Sequence, residues 1–132
     1  MAKKTWTLTD VAQDVYREEL AISPADIETP GKFSIAKRRL HGGLRDGVDV
    51  IEVDNGRMRF VVVPTRGMGL WRAFCGDVHL GWNSPKNGPV HPAFVNLWEP
   101  SGLGWLDGFD ELLVRCGLES NGSPEMNENG TL

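Results

Sequence analysis

An arginine on a glycine-rich turn is the first residue in this sequence that could do chemistry. Arg66 opens the run Arg66-Gly67-Met68-Gly69, directly after an apolar, strand-like run. The two glycines occupy positions of a dinucleotide-binding loop, but Arg72 replaces the third glycine and no helical pattern follows, which excludes a Rossmann site. A glycine-rich turn permits close approach of a ligand or of the backbone. Arg66 therefore either contacts a ligand or pairs with a neighbouring carboxylate, and the sequence leaves both possibilities open.

Tryptophan is a second signal. The chain has five tryptophans in 132 residues, and four of them lie within positions 71–105 among glycines, asparagines and aspartates. Packing in a hydrophobic core accounts for one or two of these tryptophans. Sugars present apolar C–H faces and a rim of hydroxyl groups, so their binding sites combine aromatic side chains with a few placed polar groups. The composition is compatible with a sugar site without requiring one.

Acid–base chemistry would need two titratable groups in one pocket, and no spacing motif marks such a pair. His91 lies between two prolines in a loop and is the histidine best placed for a ligand contact, whereas His79 has the pattern of a solvated or packed strand residue. A nucleophile elbow of the form Gly-x-Ser-x-Gly is absent from the sequence, which argues against a hydrolase. The full set of candidates is His41, His79, His91, Asp107, Asp110, Glu111 and Glu119.

Composition narrows the class of protein further. The 14 Lys and Arg against 18 Asp and Glu give a net charge of −4, and the one basic cluster, at 37–39, fits a solvated strand face, so no nucleic-acid partner is expected. Cys75 and Cys116 show no metal-ligand or disulfide spacing, which predicts reduced, unbridged thiols in the cytoplasm and no metal or cofactor. We find neither a signal peptide pattern nor an apolar run long enough to cross a membrane.

The elements that position these residues are predicted to be mainly β, because 16 glycines and 8 prolines leave little room for long helices. Helical spacing over 10–20 predicts one short N-terminal helix capped by Asp10 within a lead-in spanning 1–32. Runs at 48–54 and 57–63 predict a hairpin closed by a type I′ turn at Asn55-Gly56. Further strands are expected at 69–74 and 78–82, followed by a long loop at 83–108 and a last apolar run at 112–118, all in a single domain covering 1–132.

Several motifs occur in an order that resembles a known family. They are Val-Val-Val-Pro-Thr-Arg-Gly-Met (61–68), Gly-Trp-Asn-Ser-Pro (81–85), Gly-Leu-Gly-Trp-Leu-Asp-Gly-Phe-Asp (102–110) and Arg-Cys-Gly-Leu (115–118). Their order resembles a poorly characterised branch of the aldose 1-epimerase-like, galactose mutarotase-like family. The resemblance implies an antiparallel β-sandwich that forms part of a longer supersandwich, with a sugar groove on one sheet.

The resemblance also implies an activity, that of an isomerase that interconverts sugar anomers. In that chemistry a glutamate removes the proton of the anomeric hydroxyl and a histidine protonates the ring oxygen. Both family positions are expected beyond Leu132, so the chain is predicted to be the N-terminal part of a carbohydrate-binding protein, truncated and inactive as it stands. Arg66 matches a motif position at the groove, Trp82 and Trp105 match pattern positions whose role is equally compatible with packing, and His91 completes the predicted substrate-binding set.

Two alternatives remain open from the sequence. One is a self-sufficient, non-catalytic β-module that binds a sugar or another protein. The other is a mutarotase completed by self-association through an exposed sheet edge. The sequence does not identify the sugar, its anomer or the oligomeric state.

Overall fold

The computed structural model describes residues 4–114, and its main element is one antiparallel sheet. Six strands form this sheet, and each pairs with the next strand in the sequence. A separate two-stranded hairpin precedes it. These elements confirm the mainly β, antiparallel prediction. The hairpin consists of β1 (Thr9–Asp10) and β2 (Val15–Tyr16), and the sheet of β3 (Leu20–Ile22), β4 (Ser34–Arg39), β5 (Asp49–Asp54), β6 (Met58–Val63), β7 (Gly69–Cys75) and β8 (Val78–Leu80).

The predicted N-terminal helix over 10–20 is wrong, since this segment forms the turn and second strand of the β1–β2 hairpin. The Asp10 side chain acts as a cap, because its Oδ1 accepts hydrogen bonds from the backbone N–H groups of Ala12 and Gln13. The unit that it caps is a tight turn and not a helix. Val11 in this turn is 92% exposed. Tyr16 at the end of β2 donates a hydrogen bond to Asp49 on β5 at 2.9 Å. This long-range contact holds the segment in the extended form.

The hairpin of β5 and β6 is confirmed, but its predicted turn is wrong. Asp54 pairs with Arg59 and not with Arg57. A type I′ turn needs two residues with positive φ, whereas here Gly56 has a φ of 82° and Asn55 is not in that region. The Asn55 side chain accepts a hydrogen bond from the backbone N–H of Arg57 at 3.0 Å. The backbone N–H of Asn55 also donates to the carbonyl of Met58 at 3.0 Å, so the turn closes without a left-handed asparagine.

One face of the sheet carries the core. Its buried cluster comprises Leu40, Val48, Val50, Val61 and Val63, with Trp71 packed against it. Residues 83–108, predicted as a long loop, contain two short 3₁₀ helices, Pro92–Phe94 and Gly104–Gly108, and no strand. Within this segment Pro89 and Val90 are buried, and the N–H of His91 donates to the carbonyl of Leu44 at 2.7 Å. The segment is thereby tied to the turn after β4.

The opposite face of the sheet carries the buried Lys37–Asp49 ion pair at one end and an apolar region at the other, and the described residues cover this apolar region only partly. Cross-strand neighbours place Ile35, Val53 and Phe60 side by side on this face, and all three are half-buried. Val78 on the edge strand is 62% exposed. Within residues 4–114 the only sheet element that contacts this face is the two-stranded β1–β2 hairpin, through Tyr16, so the predicted sandwich is not shown by them.

Some expectations fall on residues outside the described range. Cys75 at the end of β7 is half-buried and has no disulfide partner among residues 4–114, but Cys116 lies outside them, as does most of the apolar run at 112–118. Leu113 still pairs with Leu70 through two backbone hydrogen bonds, of 2.8 and 3.0 Å, along the same edge of β7 that β8 occupies. No helix in the described part of the chain has the length and apolar character needed to cross a membrane.

Candidate functional site

A cavity of about 330 Å³ opens where β7 and β8 meet the long segment that follows them. β7 contributes one wall, β8 contributes His79, and the chain immediately after β8 contributes Trp82 and its neighbours. Asp110 arrives from the end of the last 3₁₀ helix. The lining residues are Trp71, Arg72, Phe74, His79, Trp82, Asn83, Ser84, Lys86 and Asp110.

A register shift in the sheet shapes the β7 wall. Val61 lies opposite Arg72, while the next residue of β6, Val62, lies opposite Leu70. Trp71 is thus an extra residue in β7, which is the arrangement of a β-bulge. Normal strand alternation would send Trp71 and Arg72 to opposite faces. The bulge lets both line the cavity, and the Arg72 guanidinium carbon lies 4.2 Å from the centroid of the Trp71 ring.

Trp82 forms the aromatic wall on the other side. Its indole Nε1 donates to the backbone carbonyl of Glu111 at 3.3 Å, and its ring packs on Phe109 with the centroids 5.4 Å apart. The Trp105 ring also contacts Phe109, edge-to-face, with the ring centroids 5.2 Å apart. The hydrogen bond to Glu111 and the packing on Phe109 therefore orient the Trp82 indole without a ligand.

Behind the cavity lies a buried ionic cluster of Arg66, Asp110 and Glu111, which we call the ionic triad. Arg66 Nη1 lies 2.5 Å from Asp110 Oδ1, and Arg66 Nε lies 3.3 Å from Glu111 Oε1. The Arg66 guanidinium also donates to the backbone carbonyl of Gly108. The arginine side chain is 14% exposed and each carboxylate side chain is 1% exposed. Of the two possibilities that the sequence left open for Arg66, the structure shows the pairing with carboxylates.

Charge in the ionic triad is unbalanced, because one guanidinium faces two carboxylates. Burial raises the pKa of Asp110, and Arg66 offsets part of that rise. Burial also raises the pKa of Glu111, and the neighbouring Asp110 charge adds to the effect while Arg66 opposes it. Asp110 Oδ2 and Glu111 Oε1 have no hydrogen-bond partner among the described residues. Asp110 lines the cavity, but its unpartnered Oδ2 is buried against Gly88.

A second cavity, of about 600 Å³, lies next to the first. Trp71, Arg72 and Lys86 line both cavities, and we call the two together the β7 groove. The second part is bounded by the turn after β4 and by the start of the long segment. Its remaining lining residues are Gly42, Gly43, Leu44, Arg45, Asn87, Gly88 and Val90.

Comparison with known proteins assigns the chain to a family. The family model described as a domain of unknown function, DUF4432, matches residues 45–132. This chain belongs to the DUF4432 family. A comparison with curated protein sequences gave no match.

A solved structure from Klebsiella pneumoniae subsp. pneumoniae MGH 78578, titled as a "putative aldose 1-epimerase", is similar to this DUF4432 chain at 36% sequence identity and a TM-score of 0.86. The similarity covers 96% of this chain and 34% of that one, in its N-terminal portion. The chain thus spans about a third of the length of that protein. The predicted resemblance to the aldose 1-epimerase-like family is confirmed.

The four predicted substrate-binding residues of the DUF4432 chain are distributed around the β7 groove. Trp82 lines it, Arg66 lies behind it in the ionic triad, and Trp105 reaches it through Phe109. His91 does not line it, since its Nδ1 instead accepts from the N–H of Ala93 at the start of a 3₁₀ helix. The contact of these four residues with a sugar stays a prediction.

The structure also brings together residues that sequence reasoning did not select. Of the acid–base candidates, His79 and Asp110 line the same cavity. Trp71, Arg72, Asn83 and Lys86 were not chosen as site residues. The clustering of four tryptophans within 71–105 was the available signal for Trp71, but nothing in the sequence revealed the bulge. Within residues 4–114 there is no group of three or more side chains able to hold a metal ion.

Proposed function

We propose that this DUF4432 chain binds a carbohydrate in the β7 groove. The observation that carries the proposal is the meeting of two indoles, Trp71 and Trp82, with planar polar side chains in one cavity. Aromatic faces match the C–H faces of a pyranose, and amide, carboxylate and guanidinium groups match its hydroxyls. The similarity to a structure titled as an aldose 1-epimerase supports the same class of ligand.

In this proposal the residues have distinct roles. Trp82 and Trp71 form the apolar walls, and Asn83 and Arg72 offer an amide and a guanidinium to the sugar hydroxyls. Arg66 acts from behind by fixing the position of Asp110, and Trp105 supports Trp82 through their shared neighbour Phe109. His91 contributes indirectly, because its side chain caps the 3₁₀ helix within the long segment.

The wider architecture is part of the proposal. We infer that the apolar face bearing Ile35, Val53 and Phe60 is covered by a second sheet, as in a β-sandwich, because apolar sheet faces are stable when buried. Self-association through this face is the alternative, and size-exclusion chromatography with light scattering at several concentrations separates the two. The role that we assign to residues 4–114 is binding, in the reducing cytoplasm that the cysteine content predicted.

Catalysis by this chain's own residues is a second candidate function, because His79 and Asp110 line one cavity. A histidine and a carboxyl group with a raised pKa are the residue types that exchange protons with a sugar near neutral pH. Binding is favoured over catalysis, since Asp110 is already held in an ion pair with Arg66.

The binding proposal is tested by titrating the purified 132-residue protein with a panel of neutral hexoses, using isothermal calorimetry and saturation-transfer NMR. Trp71→Ala and Trp82→Ala should each weaken binding about tenfold, since loss of one aromatic wall removes roughly 1.4 kcal/mol. Trp98→Ala is the matched control, because Trp98 is 92% exposed and does not line the groove. Hexose binding that is equally strong in both groove variants and in the control would refute the proposal.

A further inference from the structure

The second part of the β7 groove is lined by positive charge. Arg45, Arg72 and Lys86 line this cavity, and no acidic side chain among residues 4–114 does. Among the described residues, the first part is lined by one carboxylate, Asp110, which forms an ion pair with Arg66. The groove is thus basic at one end, although the whole chain has a net charge of −4.

Arg72 is placed so that it can receive an anion. Its guanidinium lies over the Trp71 ring, with the carbon 4.2 Å from the ring centroid. A stacked guanidinium keeps its N–H edge available, and that edge matches two oxygens of a carboxylate or phosphate. No carboxylate among residues 4–114 forms an ion pair with Arg72. The side chain is oriented by the indole and its hydrogen-bonding edge is unpaired within the described residues.

Arg45 approaches the same cavity from the turn after β4. Its Nε donates to the backbone carbonyl of His41 at 3.2 Å, which anchors the side chain and leaves its terminal nitrogens to other partners. Within the described part of the chain no carboxylate pairs with it. Lys86 is held more loosely, because its ion pair with Asp107 at 2.9 Å joins two side chains that are about half exposed, and such pairs contribute little stability.

We propose that the β7 groove binds an anionic carbohydrate, with the sugar ring between Trp71 and Trp82 and its carboxylate or phosphate group between Arg45 and Arg72. The placement of the ring rests on the proposed function, whereas the placement of the anion rests on the two arginines. Lys86 lines both parts of the groove and adds positive charge at their junction. Charge-assisted hydrogen bonds from a guanidinium to an oxyanion are stronger than neutral ones, so the anionic group adds affinity that a neutral hexose lacks.

Calorimetric titration of the full 132-residue protein at low ionic strength tests this inference with glucose, glucose 6-phosphate, glucuronate and inorganic phosphate. At least one anionic sugar should bind about tenfold more tightly than glucose, and added salt should reduce that preference. Arg45→Gln and Arg72→Gln should each remove the preference. Arg57→Gln is the control, because this arginine is exposed at the β5–β6 turn and does not line the β7 groove.

The possible results separate the inference from the proposed function. Equal affinity for glucose and both anionic sugars overturns the inference and leaves sugar binding standing. Inorganic phosphate binding as tightly as glucose 6-phosphate, with no binding of glucose, overturns sugar binding and shows an anion site alone. A preference that survives in both Arg45→Gln and Arg72→Gln overturns the assignment of these two arginines. The stronger of the two anionic sugars identifies phosphate or carboxylate as the preferred group.

Discussion

Replacing Arg66 with methionine should destabilise the protein strongly and in a pH-dependent way. Methionine keeps much of the length of the arginine side chain but removes the charge that faces both Asp110 and Glu111. Both carboxylate side chains are 1% exposed, so water cannot solvate the two charges in place of Arg66. Removing one partner from such a buried cluster leaves an uncompensated buried charge and costs about 3–5 kcal/mol. That is a large part of the roughly 5–15 kcal/mol by which a domain is stable.

The pH dependence follows from the direction of the two pKa shifts. In the folded protein the pKa values of Asp110 and Glu111 lie above their ordinary values near 3.8 and 4.5. Between the ordinary and the raised pKa the folded state binds more protons than the unfolded state, so the contribution of these groups to stability falls as pH rises through that window. Loss of Arg66 raises both pKa values further, because the charge that opposed the effect of burial is gone. The cost of the substitution should therefore be largest near neutral pH and smaller at pH 5.

Urea denaturation followed by circular dichroism at pH 7.5 and pH 5 measures this effect. The free energy of unfolding of Arg66→Met should fall by about 3–5 kcal/mol at the higher pH and by clearly less at the lower one. Arg38→Met is the control, because Arg38 is exposed on β4, and it should change stability by at most about 0.5 kcal/mol. The double variant Arg66→Met with Asp110→Asn should recover part of the loss. A loss of equal size at both pH values would refute the assignment of the buried charges.

Two other substitutions or assays test the surroundings of the groove. Gly88→Ala should destabilise the protein by about 1–3 kcal/mol, because the added Cβ would overlap Asp110 Oδ2. Gly31→Ala is the control and should have little effect, because no atom lies within 4 Å of the added Cβ. Equal unfolding midpoints for the two variants would contradict this packing of Gly88 against Asp110. In polarimetry, the purified protein should bring fresh α-glucose to anomeric equilibrium no faster than a matched imidazole control does. A positioned acid or base is worth about 10²–10⁴-fold in rate, and Asp110 is not free to act as one because it is ion-paired with Arg66. Catalysis that is lost in His79→Gln would instead establish the second candidate function.

Local pattern in the sequence predicted strands β5 to β8 of this protein. The runs at 48–54 and 57–63 predicted β5 and β6 as a hairpin, and the runs at 69–74 and 78–82 predicted β7 and β8. These features depend on residues close together in the chain, so one segment suffices to predict them. The family resemblance also came from the sequence, because it rests on short motifs in a given order.

Only the tertiary structure decided which residues share a site. Arg66 and Asp110 are 44 positions apart, and they meet because the long segment returns to the end of the sheet. The bulge in β7 depends on the register with β6, and it is what lets Trp71 and Arg72 line one groove. The N-terminal segment has helical spacing but becomes a hairpin, since Tyr16 gains a contact with Asp49 on a distant strand. Local propensities differ by less than 1 kcal/mol per residue, so long-range contacts of this kind override them.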